Sequence, residues 1–236
     1  MRRVRPNPAQ AERQRQATRP GLAVRGTFSP ARAWRPAVVA RLARTLAVRK
    51  RPPMQFTLFY RGPLKSNGRP KDKHELRRHF HNQLQLLWAN FPLADYAGWL
   101  QPKSPTNELS VLRSVGRFTF APLVSELSST VAELEICLLW PQAPGSIITS
   151  GGDIDNRLKT LFDALKIPSE PTALPRGAAP QSDEQPFFCL LEDDSLITRV
   201  TVETDRILEK SIPSSEVVLT IRVVTRNLRS GWDTLP

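Results

Sequence analysis

The chain has 236 residues, 40% hydrophobic and 24% charged, which suits a globular protein with a sizeable core. No apolar run approaches the roughly 18 residues of a membrane span, so no membrane partner is expected. The net charge is +12, but 13 Arg and one Lys precede residue 54 against a single acid, Glu12, and the remainder holds 20 basic and 21 acidic side chains. The excess therefore belongs to an N-terminal tail and says little about what the rest of the chain binds.

Residues 1–53 contain seven prolines and too little apolar surface to fold alone. They read as a basic disordered arm, as the product of an early start codon with Met54 the true first residue, or as an Arg-rich organelle leader. Ordered patterning begins at Met54. Residues 55–60 alternate as a strand, broken by Arg61-Gly62-Pro63, and Ser66-Asn67-Gly68 is turn material. A helix is predicted from Asp72, which has capping-box spacing to Glu75 and Pro70 just upstream. Leu76, Phe80, Leu84, Leu87 and Trp88 recur at helical spacing as its buried face. Lys73, His74, Arg77, Arg78 and His81 then form a solvated face that would also suit phosphate contacts.

Residues 91–116 read as irregular and 117–122 as a short strand. Residues 130–140 form a strong strand, with Val131, Leu134, Ile136, Leu138 and Trp140 as its apolar positions. A motif segment fills 151–166, and 167–185, with four prolines, reads as a long surface loop. Residues 187–191 lead into Glu192-Asp193-Asp194, and 197–204 and 217–224 alternate as strands. The expected class is α/β (α+β): one small domain over 54–228, order β-α-β-α-β-β, with helices packed on a mixed sheet. A short tail, 229–236, closes the chain. Cys137 and Cys189 lie in apolar stretches and read as buried hydrophobes, which fits a reducing compartment such as the cytoplasm.

The chemistry concentrates in Gly151-Gly152-Asp153-Ile154-Asp155-Asn156-Arg157-Leu158-Lys159. Leu158, Leu161, Phe162 and Leu165 share one face, so a helix starts near Asp155, and two glycines allow a sharp turn before it. Asp153 and Asp155 then lie at the helix mouth, where two carboxylates can reach one hard cation, Mg²⁺ or Mn²⁺. The competing reading makes Asp155 an N-cap and Asp155, Lys159 and Asp163 an exposed i, i+4, i+8 ladder. The acidic run at 192–194 favours a cation, which would relieve the repulsion between neighbouring carboxylates. Sharing one ion requires these carboxylates to converge within about 5–6 Å.

The pattern Asp-x-Asp-Asn-x-x-Lys-x-x-Phe-Asp-Ala-Leu over 153–165, followed by Asp193-Asp194 before a strand, resembles the signature of the RusA family of Holliday junction resolvases. Pro63-Leu64-Lys65-Ser66-Asn67 is similar to that family's turn after the first strand. The resemblance implies a magnesium-dependent homodimeric endonuclease that nicks four-way DNA junctions in recombination and repair, on the nucleoid. It implies Asp153, Asp155 and Asp194 as metal-binding carboxylates, with Asp193 beside them. Lys159 would stabilise charge on the cleaved phosphate, and Asn156 would orient a carboxylate or water. Asp163 would play a supporting part.

Three departures bear on substrate. Thr149-Ser150-Gly151-Gly152 stands where members carry arginines, so Arg157 or the basic helix face with Lys73, Arg77 and Arg78 would have to contact DNA instead. Residues 91–129 and 167–187 are insertions. These departures leave room for a nuclease on flaps or phage DNA. They also leave room for a non-catalytic protein that keeps the fold to bind nucleic acid or a partner.

Overall fold

The structure, a computed structural model, describes residues 54–105, 107, 109–142, 154–209, 212, 213 and 215–228. The basic tail, Gly151, Gly152, Asp153 and the C-terminal tail lie outside the described residues. The chain begins with strand β1 (Gln55–Pro63) and helix α1 (Pro70–Trp88), then a 3-10 segment (Leu93–Leu100). Strands β2 (Arg113–Val115), β3 (Phe118–Val124) and β4 (Thr130–Trp140) precede helix α2 (Ile154–Leu165). Strands β5 (Phe187–Leu191), β6 (Ile197–Arg206) and β7 (Glu216–Asn227) complete it. Among the described residues no helix is long and apolar enough to cross a membrane.

The α/β class with helices packed on strands holds, but the strands divide into two sheets where one was expected. The larger runs β1-β7-β4-β6, antiparallel except for the parallel β4–β6 pair. Period-two alternation in β4 puts Ala132, Leu134, Ile136, Leu138 and Trp140 in the core. Val217, Leu219, Ile221 and Val223 of β7 and Leu58 and Tyr60 of β1 join them. On the opposite face, Glu133 pairs with Arg199 (3.0 Å) and Arg226 (2.7 Å), and Glu135 with Arg199 (3.1 Å) and Arg222 (2.8 Å). Each exposed pair contributes about 1 kcal/mol or less. Their larger consequence is that Arg199, Arg222 and Arg226 keep little free charge.

The second sheet runs β2-β3-β5, with β3 and β5 parallel. Parallel strands covered on both faces read as continuous apolar runs, as Phe187–Leu191 does. Phe118, Phe120, Phe187 and Cys189 face one way, against Ile167 and Leu174. Ala121, Leu123, Phe188 and Leu190 face the main core. Residues 91–129 are therefore no loose addition. They supply β2 and β3 and bury Leu93, Trp99 and Val111.

Helix α1 starts two residues before the predicted Asp72. Pro70 takes the first position, and the Asp72 carboxylate reaches back to accept the Arg69 N–H at 3.0 Å. Its apolar stripe packs as expected. Its supposed solvent face does not stay wet, because His74, Arg77 and His81 are all buried. The second sheet covers them. The His74 ring lies 5.3 Å from that of Phe118, and the His81 ring 4.5 Å from that of Phe187.

Because the two sheets share one core, they are expected to unfold together. Leu190→Ala, on the face of β5 turned to that core, should cost about 2–5 kcal/mol in urea denaturation, within a single transition. Two resolved transitions would contradict a shared core.

Candidate functional site

The motif helix α2 is anchored along its length. Leu161, Ala164 and Leu165 are buried. Near its start, the Arg157 guanidinium donates to the Leu64 carbonyl and lies over the Trp140 ring, 4.4 Å from its centroid. One turn on, Thr160 Oγ1 accepts the Gly68 N–H at 2.8 Å and donates to the Asn156 carbonyl at 3.0 Å. A Cβ at residue 68 would meet Thr160 Cγ2 at 2.6 Å, so the turn after β1 can rest on α2 only with glycine there. At the other end, Arg77 donates to the carbonyls of Asp163 (2.6 Å) and Lys166 (3.2 Å). Those are last-turn acceptors that the helix itself leaves open. The Ile167 N–H then donates to Leu191 O at 3.0 Å, joining α2 to the end of β5.

These anchors correct the expected DNA-contacting cations. Arg77 and Arg157 are buried and hold the fold together. Arg78 makes a two-pronged pair with the buried Glu184 at 2.6 and 3.1 Å, and Lys73 pairs with Asp163 at 2.7 Å. A helical stripe in a sequence shows one buried face. It cannot show a second sheet arriving on the flank.

The predicted acids separate into two groups. At the N-terminal mouth of α2, Asp155 and Lys159 are exposed and form no ion pair with each other or with any described residue. The exposed ladder is therefore not formed, and Asp163 turns instead to Lys73. Toward the C-terminal end, Lys166 Nζ lies 2.9 Å from Asp194 Oδ1, 3.8 Å from Asp193 Oδ2 and 3.9 Å from Asp163 Oδ1. Asp193 also accepts the Ser195 N–H at 3.0 Å. Ser195, through its hydroxyl and then its N–H, with Lys166 nearby, holds the Asp193 carboxyl below the usual carboxylate range. Lys166 is the residue that sequence reasoning missed. Its only local signal is Asp163 three positions earlier; its other partners arrive through the pairing of Lys166 with Leu191.

Asp155 and Asp163 are eight residues apart on one helix, about 12 Å of rise, so they cannot share an ion. Asp194 faces Lys166, where the resemblance implied a shared ion with Asp155. Among the described residues no three His, Cys, Asp or Glu side chains converge to hold a metal. The donor chemistry of the helix mouth still fits a hard cation. Asp155 offers carboxylate oxygens with no ion-pair partner among the described residues, and Asp153, two residues earlier, is the acid that would complete a pair there.

Compared with known proteins, the chain matches no family model, no curated protein and no solved structure.

Burial around the site sets a pH dependence. Burial, and then Arg77 beside it, pushes the His74 imidazole from its ordinary 6.5 down to about 4. Burial pushes His81 in the same direction. Between 6.5 and about 4 the unfolded chain binds the proton and the folded chain does not. Stability is therefore full above about 6.5 and falls as pH drops through that window. Urea midpoints from pH 7.5 to 5.5 should show this fall, and His74→Leu should flatten it. An unchanged slope in that variant would contradict a neutral buried His74.

Proposed function

We propose that this chain is a divalent-cation-dependent endonuclease acting on branched DNA, as its resemblance to the RusA resolvases implies. The observation that carries the reading is the state of Asp155 and Lys159. Elsewhere in the described residues, acids such as Glu133, Glu135, Glu184 and Asp163 are paired with cations. This carboxylate and ammonium, one turn apart at a helix mouth, are left open. Charges kept unpaired among the described residues suit a substrate that brings its own phosphates.

Asp153 and Asp155 would hold Mg²⁺, or Mn²⁺ in its place. A cation bound there would polarise the phosphoryl group and lower the pKa of an attacking water. Lys159 would donate to a phosphate oxygen as charge builds on it. Asn156 is fixed by the Thr160 hydroxyl bond to its carbonyl, which steadies the first turn. Asp194 would join the site only if its pair with Lys166 opened, with Asp193 following. A homodimer would match the twofold symmetry of a four-way junction.

A second reading, a non-catalytic DNA-binding protein, is favoured by one observation. Lys166 already pairs with Asp194 and lies within 4 Å of Asp163 and Asp193, as a fold that needs no ion there would arrange. Cleavage separates the two. The full chain with Mg²⁺ should cut a labelled synthetic four-way junction. Asp155→Asn should abolish cutting and Lys159→Ala reduce it roughly 10²–10³-fold, both with unchanged urea midpoints. Failure of the wild-type chain to cut junctions, flaps or single strands at any Mg²⁺ or Mn²⁺ concentration would leave the second reading.

A further inference from the structure

We propose that a cationic cleft, separate from the motif helix, is a binding site for the phosphate backbone of the DNA. The cleft, about 890 Å³, lies between the start of α1, the β2–β3 turn and the segment after α2. Arg69, Lys71, Arg117 and Arg176 line it, and its lining includes no acid. Its identity as a DNA site rests on the nuclease reading; its charge and shape do not.

Charge distinguishes the cleft from the rest of the surface. Arg61, Arg78, Arg113, Arg199, Arg222 and Arg226 each pair with a glutamate within 3.1 Å. Arg117 and Arg176 are exposed and have no ion-pair partner among the described residues. Lys71 meets only Glu75, at 3.9 Å, with both side chains mostly exposed, so that contact consumes little of its charge. The cleft thus gathers unpaired arginines in one concave place, while Lys103, Lys159 and Arg206, also without an ion-pair partner among the described residues, lie outside it. A concave wall of one sign concentrates an oppositely charged ligand. Arginine suits phosphate in particular, because its planar fork can donate two parallel bonds to one phosphate.

The walls are built. The β2–β3 turn passes through Gly116 at φ +59°, a backbone conformation that favours glycine. A Cβ there would touch Leu174 Cδ1 at 3.7 Å and Pro171 Cβ at 3.8 Å, so turn and loop lie against each other. Leu174 is buried against the phenylalanines of the second sheet. Downstream, Arg78 donates to the Ala179 carbonyl at 3.3 Å, and Glu184 accepts the Gln181 N–H at 2.8 Å. The two segments that read as insertions therefore supply Arg117 and Arg176 on a fixed frame. Arg69 and Lys71 flank the turn that rests, through Gly68, on Thr160 of α2. A strand lying in the cleft would be led toward the motif helix.

The test uses the full chain, a labelled four-way junction and no divalent ion, so that binding is read without cutting. Phenylglyoxal modification read by mass spectrometry should show Arg117 and Arg176 protected by DNA. The Arg117→Gln/Arg176→Gln double variant should lower the slope of log K against log salt by about 2. Both positions are exposed, so its urea midpoint should not move. Arginines modified equally with and without DNA would overturn the proposal, whatever the affinity of the basic tail. Protection without cleavage by the wild-type chain would uphold the cleft and sink the nuclease reading. Cleavage with both arginines unprotected would do the reverse.

Discussion

The molecule depends on one buried cation. Arg77 is 2% exposed, and its burial alone would be costly. The cost is met where two main-chain carbonyls, those of Asp163 and Lys166, point from the C-terminal end of α2. That end carries the negative pole of the helix dipole, so a cation is favoured there for a second reason. The bond ties α1 to α2 across the point where the second sheet closes over both. The flanking residues follow from it. Lys73 can reach Asp163 because Arg77 has brought the helices together, and Lys166 continues directly into the pairing with β5.

This arrangement gives the two ends of α2 different characters. The C-terminal end is consumed by structure: Arg77 caps it, and Lys166 pairs with Asp194 just after β5. At the N-terminal end, Arg157 is spent inward on Leu64 and Trp140. Asp155 and Lys159 are exposed, with no ion-pair partner among the described residues. A helix anchored along its length, with exposed charges at its mouth, is a rigid mount for reactive groups, which positions them better than a loop would. The cleft between the start of α1, the β2–β3 turn and the segment after α2 likewise holds arginines, Arg117 and Arg176, with no ion-pair partner among the described residues. The proposed chemistry and the proposed backbone contact thus both occupy surface that the fold leaves uncommitted.

Much of the fold was legible because periodicity survives in a single sequence. The Leu76-Phe80-Leu84-Trp88 stripe, the alternation in β4 and β7, and the apolar face of α2 all report local geometry. What stayed hidden was set by distant partners. His74, Arg77 and His81 looked like a wet face because nothing local announces that Phe118 and Phe187 cover them. Lys166 looked unremarkable because Asp193 and Asp194 reach it only through strand pairing. The cleft joins residues from three separate segments, so no motif could reveal it. Within the site, the helix mouth was legible as a motif. The union of Asp155 with Asp194 was not a local property, and the structure gives Asp194 a different partner.

The central claim is that cation chemistry belongs to the open end of α2 and not to the acids around Lys166. Mn²⁺ titration of the full chain, followed by electron paramagnetic resonance of the free ion, tests it directly. Wild-type protein and Lys166→Met should both take up the ion, whereas Asp155→Asn should leave it free. Undiminished uptake by Asp155→Asn would contradict the account.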